Sequence, residues 1–207
     1  MARLTKAEVA SHRSWLSNWR SADEMATYVG TVNDAMGSAD FFSQAGTEFL
    51  RDAWAAAKFA DHQTCDQVRL VPEIERWPDF EVRVNGRTEQ FECVEADLPG
   101  RRRGDEYREA ERRTATGEST IIHDPVENWH LRAEQVLPAV GTAVSRKLAK
   151  NYARGASLLV SLNIDEWGVQ QHEIETGLAA AVAPALPYFV AVWVLWKIQL
   201  YGPWKSF

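Results

Sequence analysis

The chain has 207 residues, a formal net charge of -6, 45% hydrophobic residues and nine tryptophans. That composition supports a substantial, bulky core and excludes disorder over most of the length. The acidic balance argues against a protein that coats nucleic acid through a broad basic face, while leaving room for a local basic groove. Two cysteines, Cys65 and Cys93, stand outside any metal-ligand spacing, which argues against a zinc site. The start of the chain lacks an apolar h-region, so the reducing cytoplasm is the expected compartment. With no Pro/Gly/Ser-rich linker, the expectation is a single domain over 1-207, with a helical extension over 1-37 and an α/β core over 38-207.

Taken in chain order, apolar residues at helical spacing predict a helix from Thr5, its cap, to Val32, with a break near Ser21. A second helix is predicted over Ser38 to His62, where Phe41, Phe49, Ala53 and Ala57 line one face. From Val68 to Glu75 the chain reads as a strand. FEVRVNGRTEQFECVEA reads as a hairpin turning at Asn85-Gly86. A helix is expected over Asp105 to Arg113, a longer one from Ala133 to Tyr152, and a buried strand over SLLVSLNI.

The stretch Leu178 to Trp196 carries no charged residue and is about long enough to span a bilayer. Pro184 and Pro187 interrupt it, however, and YFVAVWVLW is rich in β-branched and aromatic residues. The expectation is a helix over Val169 to Ala183 followed by a buried strand, with no membrane span. The predicted fold is α/β, a small mixed central sheet flanked by helices.

Chemistry is concentrated on the hairpin. Asp79 opens its first strand and Glu92 lies inside the second, sharing a face with Gln90 and Val94, while Glu95 points oppositely with Cys93. Two carboxylates from adjacent strands can hold a hard divalent ion through oxygen ligands.

In this respect the chain resembles the PD-(D/E)xK, or restriction-endonuclease-like, nuclease superfamily. WPDFEV supplies the Pro-Asp and FECVEA the second motif, and the resemblance extends over Ser38 to Ile164, including the basic helix end SRKLAKNYARG that leads into SLLVSLNI. The resemblance implies a divalent-metal-dependent phosphodiesterase acting on DNA, with Mg²⁺ or Mn²⁺ held by Asp79 and Glu92. It also implies a first-helix acid at Glu48 as an outer ligand or water-orienter.

The chain departs from the motif at Val94, where the family carries a lysine that positions water and stabilises transition-state charge. Either Lys147 or Lys150 reaches in from the following helix, or the site is degenerate and the chain is a catalytically inactive binding or assembly module. Such a module would engage a protein partner, and a homo-oligomer is compatible with either reading.

The bland readings stand beside these. Arg101 to Arg103 could track phosphates, but with Asp105, Glu106, Glu109 and Glu111 interleaved downstream the segment reads more simply as a solvated mixed-charge helix. Glu48 can be a boundary salt-bridge partner, and Lys147 and Lys150 a solvated helix face. His123 and His130, seven apart around Asp124, Glu127 and Asn128, read as loop residues, since no third ligand follows at helical spacing. Absence of GxSxG, P-loop and GxGxxG patterns leaves serine-hydrolase and nucleotide-binding functions without local support.

Overall fold

The computed structural model describes residues 3-72, 75, 78-118, 129-150, 155-164 and 171-206, with backbone alone for 129-133 and 171-173. The architecture is mixed α/β: seven α-helices among the described residues and a six-stranded mixed sheet in the order β1-β2-β3-β4-β5-β6. The chain forms two compact units. One comprises Met1–Arg76, Phe80–Thr88 and Arg101–His123, the other Trp77–Asp79, Glu89–Gly100 and Asp124–Phe207.

In the first unit, α1 (Lys6–Leu16) and α2 (Ala22–Met36) each start at a capping box. Thr5 exchanges hydrogen bonds with Glu8, and Ser21 with Glu24. The predicted break near Ser21 is therefore real: α1 closes at its C-cap Ser17 and Ser21 caps the start of α2. The predicted helix over Ser38 to His62 is two helices, α3 (Ser38–Ser43) and α4 (Glu48–His62). Between them Gly46 takes φ +86°, a left-handed conformation that helix cannot continue through. The apolar face of α4, with Phe49, Leu50, Ala53, Ala56, Ala57 and Ala60 buried, packs on α2 and on β1 (Gln67–Leu70).

β1 is shorter than predicted, stopping two residues before Pro72, which can donate no ladder hydrogen bond. It pairs antiparallel with β2 (Phe80–Val84), and Arg20 bridges to Val68 along its other edge. Asn85 and Gly86, at φ 50° and 73°, make the predicted two-residue turn into β3 (Arg87–Ala96).

The helix α5 (Arg103–Ala115) approaches α3 closely at Gly104, where an added Cβ would lie 2.6 Å from Ser43 Cβ. Gly104→Ala is expected to destabilise this unit by about 1–3 kcal/mol through overpacking, measured as a lower urea midpoint at unchanged slope.

The arginines of this region are spent on their own neighbours. Arg101 pairs with Glu106, Arg108 with Asp105, Arg112 and Arg113 with Glu109, and Arg103 lies over the Phe42 ring. The two arginines on Glu109 hold its carboxyl at about 2, well below the usual carboxylate range. That is the mixed-charge helix of the bland reading.

In the second unit β3 pairs parallel with β4 (Ser157–Leu162), and β4 parallel with β5 (Val192–Trp196). β6 (Gln199–Trp204) returns antiparallel to β5 and had no forecast, because its turn at Lys197-Ile198 lacks glycine or asparagine. Lys197 itself adopts φ 55° there. Along these strands Ala96, Leu158, Val160, Leu162, Val192 and Val194 share one cluster with the buried faces of α6 (Trp129–Leu148) and α7 (Gln171–Val182).

The expected strand over YFVAVWVLW narrows to its last five residues, and a 3₁₀ turn at Ala183–Ala185 separates it from α7. No helix among the described residues is long and apolar enough to cross a membrane. Of the described tryptophans only Trp196 is buried in the core, its indole N–H donating to Ile164 O at 2.7 Å. Others cover boundaries: the Trp19 ring, for example, is contacted by the guanidinium groups of both Arg69 and Arg83.

Candidate functional site

Three side chains predicted from the sequence meet in the second unit. Asp79 follows buried Pro78, and its backbone N–H donates to Phe91 O at 3.0 Å, which pins it beside β3. Its carboxylate Oδ2 then accepts from the Cys93 backbone N–H at 2.7 Å. Glu92 is opposite Leu158 in the parallel ladder, and its parity with Val94 and Ala96 places it on the helix-covered face of the sheet. It is 1% exposed.

Lys147 arrives from α6. The buried stripe of that helix runs through Val136, Val140, Ala143 and Val144, and the next position at the same spacing is Lys147. A lysine there buries its stem along the apolar face and carries its ammonium to the strand beneath. Nζ lies 2.8 Å from Asp79 Oδ2, 2.6 Å from Glu92 Oε2 and 2.7 Å from the Cys93 carbonyl. Both carboxylates thus share one ammonium, and their oxygens lie no farther apart than the sum of the first two distances.

The other predicted residues are placed differently. Lys150 is exposed beyond the end of α6. Val94 is half-buried against the core cluster. Glu48 is exposed in the first turn of α4, in the first unit. Arg146, next to the lysine, donates to Glu95 O at 2.9 Å. His123 and the side chain of His130 lie outside the described residues. The sequence reading missed the backbone of Cys93, which donates to one acid and accepts from the lysine; a main-chain group leaves no mark on residue identity.

The electrostatics are uneven. Burial pushes the Glu92 carboxyl up to about 7, the neighbouring Asp79 charge and a hydrogen bond that the protonated Glu92 carboxyl donates to Asp79 add to the rise, and Lys147 only partly offsets them. Burial works against the Lys147 ammonium, but Asp79 and Glu92 outweigh it and hold the lysine charged throughout the accessible pH range. Glu92 Oε1 is buried and has no hydrogen-bond partner among the described residues.

Among the described residues no group of three or more His, Cys, Asp and Glu side chains gathers at one point. Mg²⁺ does not need one. It is commonly held by one or two carboxylates with water filling the remaining positions, and the orphaned Glu92 oxygen is a donor suited to it. Comparison with protein-family models, with curated proteins and with solved structures finds no match to the chain.

Proposed function

We propose that the chain is a divalent-metal-dependent phosphodiesterase of the nuclease type acting on DNA, with Asp79, Glu92 and Lys147 as its working groups. The observation that carries this reading is the delivery of Lys147 from α6 onto Asp79 and Glu92, which restores an acid-acid-lysine set despite Val94 at the motif position. DNA as substrate rests on the PD-(D/E)xK resemblance.

Asp79 and Glu92 would hold Mg²⁺ or Mn²⁺, which when bound supplies an activated water and charge to offset the phosphate. The chain's own contributions are more specific. The Asp79 carboxylate is oriented by the Cys93 N–H, which holds Oδ2 in place. Glu92 is shielded from bulk water by the helix-covered face it shares with Val94. The Lys147 ammonium is a donor next to both acids, available to stabilise negative charge developing on a phosphate oxygen.

One observation favours a second reading, the catalytically inactive binding or assembly module. The ammonium satisfies three oxygens of the site at once, an arrangement stable without any ion.

Metal-dependent nicking of supercoiled plasmid and degradation of linear DNA test the proposal. Asp79→Asn, Glu92→Gln and Lys147→Met are each expected to lower cleavage by about 100-fold or more. Lys150→Ala, at an exposed position, should leave it unchanged. A wild-type protein that cleaves neither substrate with Mg²⁺ or Mn²⁺ puts the module reading in front.

A further inference from the structure

We infer that the Lys147 ammonium is the resident cation of the Asp79-Glu92 cradle, seated on the oxygens a divalent ion would take, so that ion binding requires Lys147 to withdraw. This rests on the metal reading above only for the identity of the competing cation.

The geometry leaves little room for both. An ion bound between the two acids would draw on Asp79 Oδ2, Glu92 Oε2 and the Cys93 carbonyl, the inward-facing oxygens of the cradle. All three lie within 2.8 Å of Nζ, and an ammonium has three N–H donors to match them. A hard divalent ion can complete its shell with water, but to be bridged by both acids it must share carboxylates that already face the ammonium. Charge gives the same answer. A second cation among three oxygens already facing an ammonium meets repulsion in a poorly solvated site, where it is little screened.

Lys147 can withdraw without unfolding the sheet, because it sits one residue before the end of α6 and its stem has several rotatable bonds. The same residue then has two positions. In one it neutralises the acids; in the other it stands beside a bound ion.

Calorimetric titration of the full chain with Mn²⁺ alone, near neutral pH, tests this without reference to activity. Lys147→Met is expected to bind Mn²⁺ at least about tenfold more tightly than wild type, and Lys147→Met/Glu92→Gln should lose that gain. A Lys147→Met protein binding no more tightly than wild type, or a gain that survives in the double variant, overturns the inference.

Should Lys147→Met be unfolded without metal, circular dichroism decides: folding restored by Mn²⁺ supports the inference, and a chain unfolded in both conditions overturns it. A second measurement uses wild type labelled with ¹⁵Nζ-lysine. Stoichiometric Mg²⁺ binding with the Lys147 ammonium signal unmoved also defeats it. Wild type inactive on DNA, with the tighter Mn²⁺ binding present, defeats the phosphodiesterase reading and leaves this one standing. Active wild type without that tighter binding does the reverse.

Discussion

Metal-free Lys147→Met is expected to lose about 3–5 kcal/mol of unfolding free energy, the range seen when one partner of a buried ion pair is removed. The Lys147 side chain is 7% exposed and Glu92 2%, so water compensates little for the missing charge. What remains is two carboxyl groups within reach of each other and no cation. Glu92, already displaced upward by burial, takes up a proton more readily, so the loss should be smaller in mild acid than above neutrality.

The same geometry corrects a simpler expectation for Asp79. Two converging carboxylates repel, and from sequence alone neutralising one stabilises the metal-free protein. The structure places the ammonium against both, 2.8 Å from Asp79, and gives Asp79 the Cys93 N–H as well. Asp79→Asn therefore removes an ion pair and weakens a hydrogen bond, and its expected effect is destabilising. Urea unfolding of wild type, Lys147→Met and Asp79→Asn in the presence of a chelator measures all three. A Lys147→Met protein as stable as wild type at alkaline pH would show that the pair contributes nothing net.

The second large effect is a pH dependence of opposite sign to that of an ordinary ion-paired glutamate. Because the folded-state value of Glu92 is about 7 against 4.5 for the free side chain, the native protein holds the proton through that window and the unfolded chain does not. Stability from this group is therefore fully present below pH 4.5 and falls as the pH rises toward 7. The expected loss is on the order of 1–3 kcal/mol.

Other carboxylates contribute their own slopes, so the measurement is the difference in unfolding free energy between wild type and Glu92→Gln across that range. Wild type should fall relative to the variant as the pH rises. A difference that instead grows with pH means that attraction to Lys147 dominates burial and the Asp79 charge, and the ranking of causes at Glu92 is reversed.

Elements carried by local chemistry were legible in the sequence. Thr5 and Ser21 mark their helix starts because each has a glutamate three residues later, and Asn85-Gly86 marks its turn because few other residues tolerate φ of 50° and 73° in succession. Asp79 and Glu92 could be paired because strand alternation and a two-residue turn fix which residues of a hairpin meet. The break at Gly46 and the hairpin at Lys197 were not legible. A lone glycine is tolerated in many helices, and a lysine with positive φ carries no compositional signal.

Sequence by itself thus determined the two acids, the missing motif lysine at Val94 and the pair of lysines able to replace it. The tertiary structure seats Lys147, the sequence's first choice, and not Lys150 against the two acids. Helical spacing from Val140 and Val144 points both toward the sheet, but α6 ends at Leu148, so Lys147 is still held on the buried stripe and Lys150 has left it. The sharing of one ammonium by Asp79, Glu92 and the Cys93 carbonyl was decided there too. It depends on how deeply a helix seats on a sheet, a sum of many small packing contacts that no local pattern encodes.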